Sequence, residues 1–543
     1  MTVPRSVDAR SAWLVTIACT AVSMVVAAMA ALNTALPDIA VHTGADAGQM
    51  TWIIDGYTLA LAALLLPAGA VGDRVGRREI LILGLLGFGV ASLAGMWTDT
   101  PTELIVTRVL AGAAAAFIMP TTLSLITAGL PESLRSVGIS VWAAVAGGGA
   151  IAGFLVTGLL LEFFTWQSIF LTFAAASGVA ALLCLTIPTS KDSDPDRFDL
   201  PGSATSILAV IGIVGGLLEA PHRGWTDVWV WMALIVGGAL AAGFVVIELR
   251  STAPLLDIRL FTNRAFAAGS LSVALQFLAS FGLFYLALQQ LQMGYGYSPL
   301  TSGIALAPFV AVVGVFSLVG NWLAVRFHTL RHLLGGGMAI SAVGMLAAGL
   351  LDYDSYLGFA GILCVFAVGV GLSAAPSTTA IMANTPLDDQ GVGSAVNDTA
   401  RELGAAIGIA LSGSIVATGY AARIGSTAEV ARDQLGAAGH AQVAAGDPAG
   451  QALIAQADTV AEHVRRSLAE AVSVADHLPG AASPIGAAIR QGAIDAFEVP
   501  AGHAYVALAV ILFAGAAGLF VLAPRRVVEP EERAEPELDV ETT

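Results

Sequence analysis

The sequence predicts an all-α polytopic membrane protein of about fourteen transmembrane helices. Three observations carry this. Apolar residues make up 56% of the 543 residues and charged ones 12%, against roughly 45–50% and 25% in soluble domains, and mean hydropathy is +0.80. Apolar runs of the roughly 20 residues needed to cross a hydrocarbon core of about 30 Å recur along the chain. Arg and Lys collect in alternate connections between those runs, as they do in cytoplasmic loops.

Between charge, Pro and Gly punctuation, six spans are expected near 12–36, 49–71, 79–98, 103–127, 138–161 and 167–188. Two more follow near 203–220 and 228–248. Six others lie near 265–290, 302–325, 331–351, 356–380, 400–420 and 503–523. The first run is longer than the apolar region of a secretory signal and reads as a retained helix. The expected organisation is a six-helix bundle over 1–190, a linker with two extra helices over 191–255, and a second bundle over 256–420. A long loop over 421–502, a last helix over 503–524 and a tail over 525–543 complete it.

An even number of spans puts both ends on one side. Placing them in the cytoplasm gathers Arg74, Arg77, Arg78, Arg135, Lys191, Arg250, Arg259, Arg264, Arg326, Arg331 and Arg401 on that side, leaving only Arg223 in the short outer loops. The chain is therefore expected in the cytoplasmic membrane with both termini inside. Segment 421–502 carries five Arg but, as a long translocated loop, is exempt from the charge rule. Its Ala-rich stretches Gln451–Ala475 and Pro484–Phe497 read as short helices outside the bilayer, either a cap or a connector. The formal charge of −16 is no sign of an acidic enzyme, and it disfavours a nucleic acid partner. Seven acids fall in the last fifteen residues, a tail with too little apolar surface to fold.

Several classes of chemistry lack their residues. Cys19, Cys184 and Cys364 sit singly in apolar runs, and the histidines are scattered without ligand spacing, so no metal is expected. No phosphate loop ending in Gly-Lys-Ser/Thr occurs. No cofactor is expected and an enzyme is not.

The most specific motif is Gly69-Ala70-Val71-Gly72-Asp73-Arg74-Val75-Gly76-Arg77-Arg78, between the second and third spans. Its glycines permit tight backbone geometry, and Asp73 can pair with the Arg cluster or a neighbouring helix end. Such contacts can latch one conformation shut. This loop resembles the cytoplasmic signature of the major facilitator superfamily.

Further stretches are similar to the fourteen-helix drug:proton antiporter branch of that superfamily. They are Asn33-Thr34-Ala35-Leu36-Pro37, Trp52-Ile53-Ile54-Asp55-Gly56-Tyr57, Arg108 four residues before Gly112, and Met119-Pro120-Thr121-Thr122-Leu123. Gln292 with Gly296-Tyr297-Ser298-Pro299-Leu300 and Asn397-Asp398-Thr399-Ala400-Arg401-Glu402-Leu403-Gly404 complete the set. The resemblance implies two six-helix bundles around a central cavity, with two helices inserted between them. It further implies export of lipophilic, cationic small molecules across the bilayer in exchange for protons. The chain departs from the branch at Ala28, where an acid is usual, at Phe154, where the fifth-helix motif has proline, and at Gln167, where Arg is usual after Trp166. Gly149, Gly153 and Gly158 still allow close helix packing. An exporter of an endogenous lipid or metabolite, or a transporter-like receptor or scaffold, is the alternative.

Ionisable residues at membrane depth cost at least about 2.5–3.5 kcal/mol and usually face a partner or a wet cavity. Asp55 is the first candidate for cation recognition or the coupling proton, against an interfacial helix cap. Arg108 can favour a nearby carboxylate or simply bind backbone carbonyls. Asp398 and Glu402, four residues apart and so on one helix face, can form a second acidic site or mark a cytoplasmic helix start with Arg401 as local partner. Trp52, Tyr57 and Gln292 are pocket-lining candidates.

Overall fold

The computed structural model describes residues 8–45, 47–190, 198–351, 355–445, 447, 449–478 and 483–525. The expectations for the 191–197 part of the linker and for the acidic tail beyond 525 lie outside the described residues, as do the side chains of Asn33, Thr34 and Pro37. Every regular element described is helical: α1 (Ala9–Thr43), α2 (Ala47–Val75), α3 (Arg77–Gly95), α4 (Pro101–Gly129), α5 (Glu132–Phe163), α6 (Gln167–Cys184), α7 (Leu200–Arg223), α8 (Val228–Arg250), α9 (Arg264–Gln289), α10 (Pro299–Ala305), α11 (Ala307–Phe327), α12 (Leu330–Leu350), α13 (Tyr356–Ala383), α14 (Gln390–Ala444), α15 (Ala449–Arg466), α16 (Leu468–His477) and α17 (Ser483–Leu522). Helix starts follow local chemistry. Thr100 and Glu103 form a reciprocal capping box before Pro101, and Asp199, Asp227, Asn263 and Ser298 each accept from backbone N–H groups at a helix start, satisfying donors the helix leaves open.

Among the described residues thirteen helices are long and apolar enough to span a membrane, and α5, bent by 42° just after its Gly147–Gly149 run, makes a fourteenth. Glycine is a recognised cause of such a kink. The span expected at 302–325 is α10 and α11 in succession.

Two apolar cores result. One joins α1–α6 through residues such as Val22, Tyr57, Leu81, Phe88, Leu123 and Trp142. The other joins α9 and α11–α17 through residues such as Leu283, Phe309, Met338, Phe366 and Leu508. Helix α7 sits between α2 and α14, where Ala62 and Ala63 meet Val210, Val214 and Ala406. Helix α8 packs on α7 at Gly212 and Gly237 and is only 17% buried over its most apolar window, so most of its surface is left for lipid.

Two boundaries differ from the sequence expectation. The helix expected over 400–420 runs from Gln390 to Ala444, and the one expected over 503–523 begins at Ser483. An Ala-rich chain with an apolar stripe has no reason to stop at the bilayer surface. Ile424, Ala428, Ala431 and Leu435 continue the stripe of α14 and pack in one cluster with Leu453, Val460 and Val464 of α15, Val472 of α16 and Ile489 and Phe497 of α17. Tyr420 Oη donates to Val464 O at 3.0 Å, and Arg490 pairs with Asp476 at 3.0 Å.

Candidate functional site

At one end of the molecule α2 and α14 meet backbone to backbone. A Cβ at Gly69 would lie 2.9 Å from Ala395 Cβ and closer still to Gly391 O. Asp73, one turn on, is buried. Its Oδ1 accepts from Gly391 N at 2.9 Å and its Oδ2 from Val392 N at 3.1 Å, which places a carboxylate on the positive end of α14. Arg77 holds the same carboxylate through Nε at 2.8 Å, and its Nη2 donates to Leu387 O at 3.0 Å and Asp388 O at 3.2 Å. Gly76 adopts φ +133°, a conformation open to glycine, and this turns the chain so that Arg77 N donates to Ser190 O at 3.0 Å. Arg74 donates to Ala70 O and lies over the Phe198 ring, Arg78 pairs with Glu79 at 2.8 Å, and Gly72 packs on Thr121.

Arg108 is buried in the first bundle. Its Nε donates to Ile53 O at 3.0 Å, its Nη2 to Ala28 O at 3.1 Å, and its guanidinium lies 4.3 Å from the Tyr57 ring centroid. At Ala28, the first-helix position where the resemblance leads one to expect an acid, Arg108 meets a backbone carbonyl. Tyr57 is fully buried, donates to Val25 O at 3.0 Å and packs in the first core, outside the cavity between the bundles.

The second acidic pair is not at a helix start. Because α14 begins at Gln390, Asp398 and Glu402 lie two to three turns inside it, 0% and 5% exposed. Arg401, counted above with cytoplasmic charges, is buried beside them. Arg401 Nη1 is 3.5 Å from Asp398 Oδ1, and Asn397, itself bonded to Thr378 at 3.1 Å, donates to the same oxygen at 3.2 Å. Asp398 Oδ2 and Glu402 Oε2 have no hydrogen-bond partner among the described residues.

Glu402 and Arg401 line a cavity of about 70 Å³ between the two bundles. Val26, Met119 and Ala146 face it from the first bundle, and Gln276, Phe277, Phe281, Phe284 and Phe309 from the second. Gln276 is held by Ser272 at 3.0 Å and Ser377 at 3.1 Å. A drug-sized ligand needs about 300–1,000 Å³, so the cavity as it stands is smaller than such a ligand. The wall was partly legible: Phe277, Phe281 and Phe284 recur at helical spacing on one face of α9. Arg401 and Gln276 carried no such signal.

The remaining candidates lie elsewhere. Asp55 is half-buried two turns into α2, within electrostatic reach of Glu219 on α7, which pairs with Arg223 at 2.7 Å. Trp52 is 38% exposed at the same end. Gln292 is half-buried in the widened turn Gln290–Gly294 that ends α9. None of the three lines the cavity.

The α5 glycines seat α1 and α10. Gly149 faces Val26, Gly153 lies against the Ala27 backbone and Gly158 faces Leu300. A Cβ at Gly153 would fall 2.9 Å from Ala27 Cα and closer to Ala27 O. Gly153→Val is expected to cost at least the 1–3 kcal/mol or so of overpacking and to lower the melting temperature in detergent, whereas Gly178→Ala, with open space around it, leaves it unchanged. Equal melting temperatures would show that α1 and α5 do not need this contact.

A buried charge cluster joining the two bundles and a largely aromatic cavity with a charged edge between them fit an alternating-access carrier, and comparison with known proteins decides the family. The family model described as Major Facilitator Superfamily matches residues 18–409. The chain belongs to the major facilitator superfamily. It is 34% identical over 397 residues to the methyl viologen resistance protein SmvA of Salmonella typhimurium, covering 72% of this chain and 80% of that one. To the multidrug efflux pump LfrA of Mycolicibacterium smegmatis it is 36% identical over 430 residues, covering 77% and 84%. The solved proton:xylose symporter XylE shares the fold with a TM-score of 0.54 at 12% identity, covering 73% of this chain and 86% of that one. This member of the superfamily is a multi-pass membrane transporter.

Proposed function

We propose that this transporter resides in the cytoplasmic membrane with both termini inside, and exports lipophilic cationic compounds in exchange for protons. The observation that carries the reading is Glu402, a buried carboxylate with an unpartnered oxygen, facing a cavity walled by four phenylalanines between the two bundles. Aromatic faces and a carboxylate together suit an organic cation, and the same carboxylate can take a proton in its place. The named activities of SmvA and LfrA, resistance and multidrug efflux, support the cargo class. Glu402 with Asp398 is the cargo and proton site, Arg108 organises the first bundle, and the Asp73–Arg77 cluster is the latch of the inward end.

Asp55 with Glu219 is an acidic station at the outer end of the pathway, outside the cavity. Asp55→Asn is expected to slow efflux of cationic dyes about 2–5-fold, the size of a partly exposed charge interaction, and to leave neutral compounds unchanged. Unaltered efflux of cations would make Asp55 a structural residue.

The reading as a whole is tested in proteoliposomes holding the purified protein. A cationic dye should be moved against its gradient when a proton gradient is imposed, and the movement should stop when that gradient is collapsed. Export that persists without the gradient would overturn proton exchange, and absence of any dye movement would overturn the exporter.

A further inference from the structure

The cavity already contains a cation. Arg401 belongs to α14 of the second half, yet its guanidinium lies 5.0 Å from the ring centroid of Trp142 on α5 of the first half and 4.4 Å from that of Phe277 on α9. Trp142 is held in place by its Nε1 donating to Thr122 Oγ1 at 3.0 Å. The guanidinium is buried, reaches Asp398 only at 3.5 Å, and leaves Nη1 without a hydrogen-bond partner among the described residues. It therefore does at this site what an organic cation would do. It rests on aromatic faces beside two carboxylates, and it spans the two bundles while doing so.

We propose that Arg401 is a built-in surrogate for the cargo, a tethered cation that occupies the aromatic and carboxylate subsite and ties the two bundles together until a lipophilic cation displaces it. The inference rests on the exporter reading and adds the device that makes cargo binding matter to the conformation. Cargo and guanidinium compete for the faces of Trp142 and Phe277 and for the charge of Asp398 and Glu402. Displacement breaks the contact between α14 and α5, so a cation loosens the closed state and a neutral molecule of the same shape does not. Asp398 is then left with Asn397 as its partner, and the arriving positive charge compensates it.

The test uses the full-length protein in nanodiscs with tetraphenylphosphonium as the cation and triphenylphosphine oxide as its neutral counterpart. Arg401→Gln removes the competitor and a like charge, so tetraphenylphosphonium should bind about tenfold tighter or more, a change of about 1.4 kcal/mol, with the neutral probe little affected. Turnover in proteoliposomes should fall at the same time, because the tie that cargo releases is missing. Arg401→Lys keeps the charge but not the planar stacking and should lie between the two. Weaker or unchanged cation binding in Arg401→Gln would overturn the surrogate and make Arg401 an organiser of the carboxylates. Should that variant fail to fold, spin labels on α5 and α14 of the otherwise native protein give the answer. Tetraphenylphosphonium should lengthen the distance between them and triphenylphosphine oxide should not; no difference between the probes would overturn the proposal. Failure of the native protein to bind either probe would instead remove the exporter reading on which it rests.

Discussion

Glu402→Gln is expected to abolish gradient-driven efflux of cationic dyes while leaving a folded protein. Glutamine keeps the size and one acceptor of the side chain but neither its charge nor its ability to take a proton. A unit charge pair at 4 Å with an effective dielectric near 20 is worth about 4 kcal/mol before desolvation is subtracted, whereas a neutral ligand forfeits a hydrogen bond of about 1 kcal/mol. A surviving difference of 1.4 kcal/mol or so is tenfold in relative affinity, so cations should suffer at least about tenfold more than neutral compounds of similar size. Stability moves the other way or not at all, because one oxygen of the buried carboxylate has no hydrogen-bond partner among the described residues, and exchanging such a charge for a neutral group relieves desolvation. Since glutamine cannot titrate, any residual efflux should also depend less steeply on pH, with Asp398 left as the titrating member of the site. Equal loss for cations and neutral compounds, with the pH profile intact, would remove Glu402 from the cargo and proton site.

The fold was largely legible because the bilayer imposes its own ruler: a segment either is apolar for about 20 residues or does not span. What hydropathy cannot register is tertiary compensation. Asn397-Asp398-Thr399-Ala400-Arg401-Glu402 is polar enough to look like the watery start of a helix. It lies inside α14 because Thr378 meets Asn397, Arg401 meets Asp398, and Trp142 and Phe277 stack on Arg401. Those partners come from α13, α5 and α9, remote in sequence, and reading the segment as a helix start also put Arg401 among the cytoplasmic charges. Tyr57 is the converse case: its type suits a binding site, and its hydroxyl is used on Val25 O inside the first bundle. The latch lies between these cases. Asp73 and Arg77 stood out through their spacing with the glycines, while their partner, the N-terminus of α14, is 318 residues away from Asp73 at Gly391 and carries no side-chain signal, since it acts through backbone N–H groups.

That backbone partnership is what makes Asp73→Asn informative. The carboxylate accepts two N–H bonds from the start of α14 and is gripped by Nε and Nη2 of Arg77, whose Nη2 also donates to the carbonyls of Leu387 and Asp388 while Nη1 donates to Ser190 Oγ. Asparagine replaces one of the two acceptor oxygens with a donor, which then confronts either Val392 N–H or the guanidinium, and Arg77 is left buried without a counter-charge. Losing one partner of a buried pair typically costs about 3–5 kcal/mol, and the share carried by the bonds from Gly391 and Val392 falls on the conformation in which this end is closed, because those bonds run between the two halves of the molecule. A shift of about 3 kcal/mol moves a two-state equilibrium by more than a hundredfold. The cavity residues are untouched, so binding of a cationic probe should be retained while turnover falls at least about tenfold. Spin labels placed on the α2–α3 connection and the first turn of α14 should report a population of longer distances. Arg78→Ala alters a residue, 30% exposed, whose bonds to Glu79 and to Ile187 O both stay within the first half, and it should leave both turnover and distances close to those of the native protein. Native turnover and an unchanged distance distribution in Asp73→Asn would mean that the bonds seen between α2 and α14 do not control which end of the transporter is open.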